Sequence, residues 1–227
     1  MNYSQILKNG ENILKKNKIK NPYLEVELIL SKVVSKKREE ILLNINNELK
    51  NKDIIKFSDY LLRRQQKEPM AYILGYKYFW KHKFLINKSV LIPRPDTELI
   101  IEETLRYLPI NKSKKILDVG TGSGCIIVSL LKERPKCSAT AIDISKKAIN
   151  VAKTNAKLHQ LDNKINFINI DIDKYKSNNY DLIISNPPYI DLSKINCLDK
   201  DIKNHEPRVA LDGGVDGYRK IRLVIKK

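Results

Sequence analysis

The sequence contains few of the residues that build disulfide scaffolds, zinc sites or membrane spans. Among 227 residues there are three cysteines, Cys125, Cys137 and Cys197, with no C-x-x-C pair. Because no histidine cluster lies near them, we expect neither a disulfide framework nor a metal site. No apolar run approaches the ~20 residues that span a bilayer, and residues 1–20 contain no signal-peptide core. We therefore expect a soluble, cytoplasmic protein that needs no membrane.

Arginine is also scarce, although the net charge is +17. Nine of the 43 basic residues are arginine, and the sequence is rich in lysine, isoleucine and asparagine, as in a biased composition. Nucleic-acid-binding proteins favour arginine for bidentate contacts, whereas scattered lysine mainly solvates a surface. Residues 1–90 carry 19 basic and 9 acidic side chains. Compositional bias and a functional basic surface both remain open interpretations.

Three patterns divide the chain. Residues 1–74 have apolar side chains at three- and four-residue spacing, which predicts a small helical domain. Residues 75–92 are aromatic and β-favouring, which predicts a β-hairpin linker whose rings pack in the core. In residues 93–227 short apolar strands alternate with helices, which predicts a Rossmann-like α/β domain with a parallel sheet. Ligands of such sheets bind at the carboxyl ends of the strands.

A glycine-rich turn follows the first predicted strand, residues 115–119. It reads Asp118-Val-Gly120-Thr121-Gly122-Ser123-Gly124. Glycine permits a tight turn and a close approach of ligand to backbone, next to the free N–H groups of a helix start. The dinucleotide fingerprint G-x-G-x-x-G has its third glycine one position later. A glycine turn without a ligand is the alternative interpretation.

Carboxylates follow the next two predicted strands, residues 139–142 and 165–170. Asp143 stands where an acidic side chain accepts hydrogen bonds from ribose hydroxyls in nucleotide-binding sheets. The alternative for Asp143 is an N-cap of the next helix, a role that Ser145 can also fill. Asp171 ends the third strand at the same edge of the predicted sheet. Both carboxylates are candidate ligand-binding residues.

The tetrapeptide Asn186-Pro187-Pro188-Tyr189 follows the fourth predicted strand, residues 180–185. Two prolines stiffen the backbone and remove two N–H donors, so main-chain carbonyl oxygens remain as the polar groups. With the side-chain carbonyl of Asn186 they can hold both hydrogens of a planar NH2 group, on whose face Tyr189 packs. This arrangement favours methylation of an amide or exocyclic amine by positioning, without a general base. The motif alone leaves glutamine amides, adenine N6 and guanine N2 open, and a rigid turn is the other interpretation.

Further segments accompany these motifs in the order of one known family. They are E-P-M-A-Y-I-L-G at residues 68–75, V-L-I-P-R-P-D-T-E at 90–98 and E-P-R-V-A-L-D-G-G-V-D-G at 206–217. With them the chain resembles the HemK/PrmC family of protein-(glutamine-N5) methyltransferases. The resemblance implies a class I methyltransferase domain that uses S-adenosylmethionine. It also implies, as the substrate, the GGQ-loop glutamine of class I peptide chain release factors, which the N-terminal domain recognises.

The resemblance also assigns roles by position. It implies cofactor binding by Gly120, Thr121, Gly122, Ser123, Gly124, Asp143, Asp171 and Asn186, with Asp171 on the adenine amino group. It implies catalytic roles for Asn186, Pro187 and Tyr189, and substrate binding by these three with Pro188 and Arg94. Residues 93–98 would cover the site, although Pro95, Thr97 and Glu98 are equally typical of a helix start. We expect a monomer that requires no nucleic acid.

The chain departs from the family pattern at two places. Asp96 stands where most members have glutamate, a mild change. The family continues beyond the Gly213-Gly214 region with further strands, and an unpaired sheet edge is an aggregation liability. We therefore expect a C-terminally short chain of lower stability, which in one alternative binds its ligands without turnover. A ribosomal-protein glutamine and a nucleic-acid amino group are the other acceptors left open.

Overall fold

The computed structural model describes residues 1–176 and 179–226. It divides into two units, Met1–Leu74 and Gly75–Lys227. The first unit is helical, as its periodicity predicts: α1 (Tyr3–Lys16), α2 (Pro22–Val34), α3 (Arg38–Leu43), α4 (Asn51–Gln65) and α5 (Met70–Leu74). Asn2 and Gln5 form a capping box that starts α1, and Pro22 occupies the first turn of α2.

The core of the first unit forms where α1, α2 and α4 pack together. Leu14, Val26, Ile29 and Leu30 have no exposed surface, and Phe57 of α4 is buried against the same cluster. Burying apolar side chains of this size stabilises a fold by about 1.5–3 kcal/mol each. The apolar stripes visible in the sequence are therefore the helix faces that meet in this core.

The second unit begins with an antiparallel hairpin of β1 (Tyr76–Phe79) and β2 (His82–Leu85), in which Tyr76 lies opposite Leu85. Phe79 and Phe84 are buried in the core of this unit, with ring centroids 6.2 Å apart in an edge-to-face arrangement. These two rings pack in the core, as predicted. The hairpin is thus a component of the second unit's core.

A four-stranded parallel sheet forms the centre of the second unit. Its order is β5-β4-β3-β6, with Val119 paired to Ile142 on one side and to Ser185 on the other. The strands and helices after the hairpin are α6 (Glu98–Tyr107), β3 (Lys115–Val119), α7 (Cys125–Glu133), β4 (Ser138–Asp143), α8 (Lys146–Leu158), β5 (Ile165–Asn169), β6 (Leu182–Ser185), α9 (Lys200–Lys203) and α10 (Arg219–Ile225).

Both faces of the sheet are buried. Ile116 and Leu117 are neighbours in β3, so their side chains point to opposite faces, yet neither has exposed surface. Ile116 belongs to the cluster with α7, and Leu117 to a cluster against which Leu223 and Val224 of α10 pack. Such two-sided burial is typical of parallel sheets and explains the near-continuous apolar strands in the sequence. In the described part of the chain, no helix has the length and apolar character of a membrane span.

Candidate active site

A pocket opens at the carboxyl edge of the sheet, where the sequence predicts the chemistry. Its walls come from residues 89–97, from the turn after β3, and from the segments that follow β4, β5 and β6. Ten of the predicted site residues line it: Arg94, Gly120, Thr121, Gly122, Ser123, Asp143, Asp171, Asn186, Pro187 and Pro188. Two predicted residues, Gly124 and Tyr189, lie outside this lining.

The glycine turn is held against β4 by its backbone. The N–H groups of Gly120 and Thr121 both donate to the carbonyl of Ile142, at 2.9 and 3.0 Å. Gly120, Gly122 and Gly124 have φ values of +73°, +57° and +78°, a region that other residues rarely adopt. A Cβ added to Gly120 would meet no atom within 4 Å, so the backbone there is open to a ligand. Gly124 instead packs against Ala152 of α8.

Asn155, which the sequence did not single out, ties this turn to the hairpin. It has no exposed surface, and its Nδ2 donates to the carbonyls of Leu85 and Ser123 at 2.9 and 2.8 Å. Its Oδ1 accepts from the N–H of Leu85 at 2.8 Å. A fully buried asparagine with these bonds satisfied fixes the backbone on both sides of it. Its position inside a helix gave no local signal of this role.

Asp118 is a buried carboxylate at the start of the same turn. Thr121 donates from Oγ1 to Asp118 Oδ2 at 2.6 Å, while Oδ1 has no hydrogen-bond partner among the described residues. Burial raises the pKa of Asp118 to about 7, the bond from Thr121 opposes this shift, and the nearby charge of Asp143 adds to it. Asp118 occupies the first position of the glycine motif, and the sequence pattern alone does not indicate its burial.

Asp143 bridges the turn and the next helix. Its Oδ2 accepts the N–H of Gly122 at 2.9 Å, and its Oδ1 accepts the N–H of Ser145 at 2.8 Å. Ser145, not Asp143, caps α8 by accepting from the N–H of Ala148 at 3.2 Å. Burial raises the pKa of Asp143, and the two backbone N–H groups act against that shift. Each carboxylate oxygen keeps a lone pair that a ligand hydroxyl can use.

Asp171 lies across the pocket, beside α10. Its Oδ1 accepts from the N–H of Asp173 at 3.2 Å and lies 3.5 Å from Nζ of Lys220. Asp171 and Lys220 both line the pocket, and their side chains are about one quarter exposed. Lys220 is a second residue that sequence reasoning missed, because only the packing of α10 brings it to this wall.

The N-P-P-Y segment continues from β6 into the pocket wall. Ser185 Oγ donates to the carbonyl of Val119 at 2.8 Å, which anchors the end of β6. Asn186 Nδ2 donates to Thr97 Oγ1 at 3.2 Å. Tyr189, in contrast, is 63% exposed. The main chain of Tyr189 packs closely against Gly213, because a Cβ added to Gly213 would lie 2.8 Å from Tyr189 Cα.

The side chain of Arg94 pairs with a carboxylate that lies much later in the sequence. Its guanidinium pairs with Glu206, whose side chain is 1% exposed and whose Oε2 also accepts from the N–H of Ile92 at 3.3 Å. Glu206 therefore holds residues 92–94 at the pocket wall. The sequence showed Glu206 inside a family segment, but nothing local indicated its partner.

Within residues 1–176 and 179–226, no group of three or more His, Cys, Asp or Glu side chains is placed to hold a metal ion. Cys125 lines the pocket, and burial raises the pKa of its thiol to about 12. The pocket thus contains carboxylates, a carboxamide and main-chain polar groups, without a thiolate at neutral pH.

A glycine turn after the first parallel strand, carboxylates after the next two and N-P-P-Y after the last define a class I methyltransferase domain. Family comparison agrees: residues 97–204 match the methyltransferase small domain, and residues 5–75 match the PrmC N-terminal domain. The fold class expected from the sequence is therefore confirmed.

Individual relatives narrow the class to one family. The release factor glutamine methyltransferase of Caulobacter vibrioides is 39% identical over 210 residues, 92% of this chain and 73% of the relative. The one from Buchnera aphidicola subsp. Baizongia pistaciae is 38% identical over 206 residues, 91% and 74% of the two chains. A bifunctional methyltransferase of Rickettsia typhi is 38% identical over the whole chain, which spans 48% of its length. The chain belongs to the release factor glutamine methyltransferase family, and the resemblance is confirmed.

Proposed function

We propose that this chain transfers a methyl group from S-adenosylmethionine to the side-chain amide nitrogen of the GGQ-loop glutamine in class I peptide chain release factors. The observation that carries the proposal is the position of Asn186, Pro187 and Pro188. They line a pocket that also contains the glycine turn and two carboxylates, in a chain of this family.

The residues of the pocket fit the cofactor. The open backbone at Gly120 admits a ligand. We assign to Asp143 hydrogen bonds from the ribose hydroxyls, and to Asp171 a hydrogen bond from the adenine amino group; both residues line the pocket. When bound, S-adenosylmethionine supplies a sulfonium methyl group that passes to nitrogen while the C–S electron pair stays on sulfur.

The N-P-P-Y segment positions the acceptor. Asn186 Oδ1 and the carbonyl of Pro187 accept the two N–H groups of the glutamine amide, which orients its nitrogen. An amide lone pair is conjugated and weakly nucleophilic, so holding it in line is the main contribution to the rate. The proton leaves the nitrogen after transfer, when the methylated nitrogen is positively charged and strongly acidic, so no general base is needed. We place Arg94 at the substrate end of the pocket, where Glu206 holds it.

The role of the first unit is part of the proposal. Residues 5–75 match the PrmC N-terminal domain, and residues 1–90 carry 19 basic against 9 acidic side chains. A basic surface accelerates encounter with a partner more than it changes the chemical step. We assign recognition of the release factor to this unit.

The test is a transfer assay with labelled S-adenosylmethionine and a purified class I release factor, read by mass spectrometry of the GGQ peptide. Methylation should occur on that glutamine and disappear when it is replaced by alanine in the release factor. Asn186→Ala should lower kcat by roughly a hundredfold or more, with a modest loss of cofactor affinity. Asn196→Ala, which removes an exposed asparagine outside the pocket, is the matched control. Equal methylation of the glutamine-free release factor would contradict the proposal.

A further inference from the structure

The side-chain amide of Asn186 is held from one end. Its Nδ2 donates to Oγ1 of Thr97 at 3.2 Å, across 89 residues of sequence. No described residue donates to its Oδ1. Thr97 and Asn186 both line the pocket, and Thr97 is only 9% exposed. The hydroxyl therefore binds the nitrogen end of the carboxamide and leaves the oxygen end for another partner.

The Thr97 hydroxyl accepts a hydrogen bond from Asn186, although Thr97 also stands at a helix start. It is the residue before α6, but its side chain makes no capping hydrogen bond. Threonine at a helix start ordinarily uses that oxygen to accept a backbone N–H. Helix capping therefore does not account for the hydroxyl at this position.

The backbone around Thr97 is fixed on both sides. Its N–H donates to the carbonyl of Arg94 at 3.1 Å, and the next residue, Glu98, accepts from the N–H of Trp80 at 2.6 Å. On the other side Glu206 holds Arg94 and the N–H of Ile92. Since threonine is β-branched, a fixed backbone also restricts its χ1 angle. The hydroxyl is thus set in place before any ligand binds.

We propose that Thr97 is a positioning residue for methyl transfer, one whose hydroxyl holds the Asn186 side chain in the rotamer that faces the acceptor. This inference rests on the proposed function, in which Asn186 Oδ1 accepts an N–H of the substrate amide. Without the hydroxyl, the Asn186 carboxamide loses the hydrogen bond that restrains its side-chain torsions. Its Oδ1 would then face the substrate NH2 group for a smaller fraction of the time, and the substrate nitrogen would be held in line less often.

The experiment compares Thr97→Val, Thr97→Ser and the parent chain in the release-factor transfer assay. Thr97→Val keeps the side-chain shape without the hydroxyl and should lower kcat by roughly ten- to a hundredfold. Affinity for S-adenosylhomocysteine, measured by calorimetry, should change by less than about twofold, because the cofactor contacts remain. Thr97→Ser restores the hydroxyl and should recover most of kcat. Thr104→Val, at a threonine of α6 that is 6% exposed and outside the pocket, is the control for losing a buried hydroxyl.

A double-mutant cycle separates positioning from general structure. In the Asn186→Ala background, Thr97→Val should cost less than about twofold, because its target is gone. A full additional loss there, or parental kcat in the single variant, would overturn the inference. If Thr97→Val fails to fold, the kcat values of Thr97→Ala and Thr97→Ser are compared instead. Both variants lack the threonine methyl group, so they differ only in the hydroxyl. Absence of transfer by the parent chain would instead refute the proposed function, and the inference would fall with it.

Discussion

The guanidinium of Arg94 pairs with the carboxylate of Glu206, 112 residues later in the chain. The two ends of this pair are unequal, because the side chain of Glu206 is 1% exposed and that of Arg94 is 35% exposed. Glu206 also accepts the N–H of Ile92, so one carboxylate fixes both the backbone and a side chain of the segment that lines the pocket. Replacing Arg94 should therefore lower the free energy of unfolding by a different amount than replacing Glu206.

We expect Arg94→Ala to lower the free energy of unfolding by about 3 kcal/mol, since it leaves a buried carboxylate without its cation. Glu206→Gln should cost only about 1 kcal/mol, because the amide oxygen still accepts from Ile92 and the guanidinium reaches water. Urea unfolding followed by the fluorescence of Trp80, the single tryptophan, measures both.

Arg106→Ala provides the matched control for this ion pair. Arg106 pairs with Glu103 on the exposed face of α6, where both side chains are more than half exposed. Such pairs contribute about 0–1 kcal/mol. An Arg94→Ala midpoint no lower than that of Arg106→Ala would show that the Glu206 contact does not stabilise the second unit.

Asp118 should make stability fall as pH rises. Its pKa is 3.8 in the reference state and about 7 in the folded unit, where burial favours the neutral form. Between these values the folded chain binds more protons than the unfolded chain, so the free energy of unfolding decreases from about pH 4 to about pH 7 and is level outside that window. The decrease should be on the order of 2–4 kcal/mol.

Asp118→Asn tests this pH dependence against the parent chain. Asparagine retains an oxygen that accepts from Thr121 and cannot ionise, so its unfolding free energy should exceed that of the parent at pH 8. At about pH 3, below both pKa values of Asp118, the carboxyl is mostly protonated in both states and the two chains should agree within about 1 kcal/mol. Parallel pH profiles would contradict the assignment of the slope to Asp118.

The glycines of the turn should respond differently to alanine. Both Gly120→Ala and Gly124→Ala place a side chain at positive φ, which costs about 1–2 kcal/mol. At Gly124 the new Cβ would also lie 3.2 Å from Cβ of Ala152, adding about 1–3 kcal/mol. At Gly120 the methyl group enters open space in the pocket, so cofactor affinity should fall instead. Calorimetry and urea unfolding of both variants separate the two effects, and equal losses of stability would argue against the contact with Ala152.

The three thiols should react in two classes. Cys125 and Cys137 are buried and Cys197 is exposed. Burial also raises the pKa of Cys125 to about 12, so little thiolate forms there at pH 8. We expect a disulfide reagent such as Ellman's to titrate one thiol rapidly in the native chain and three in urea. Rapid reaction of the native Cys197→Ser variant would indicate that Cys125 or Cys137 is accessible in the folded chain.

Much of the site could be predicted from local sequence. A parallel strand ends where its apolar run ends, so the residues that follow each strand come to one edge, as Gly120, Asp143 and Asn186 do. The positive φ values of the turn glycines follow equally from the motif. Tyr189 shows the limit of this approach: it follows Pro188 directly but is 63% exposed. Its direction depends on how the later segment around Gly213 packs beneath its backbone.

The supporting residues could not be found in the same way. Each of them contacts a partner far away in the sequence. Glu206 pairs with a residue 112 positions away, Asn155 bonds to residues 70 and 32 positions away, and Thr97 to one 89 positions away. Helical and strand periodicity report burial, but they do not specify which buried polar groups meet. Which buried polar groups pair depends on the packing of whole elements.

The pocket has walls from residues 89–97, 119–126, 142–148, 170–172, 185–188 and 209–224. Since no single stretch of chain contains it, the binding surface does not survive partial unfolding of the second unit. A ligand that occupies the pocket therefore stabilises the entire folded unit, by about 2.7 kcal/mol at a hundred times its Kd. The melting temperature of the second unit, followed by Trp80 fluorescence, thus becomes a direct assay of pocket occupancy. It can rank cofactor analogues and inhibitors before any acceptor protein is available.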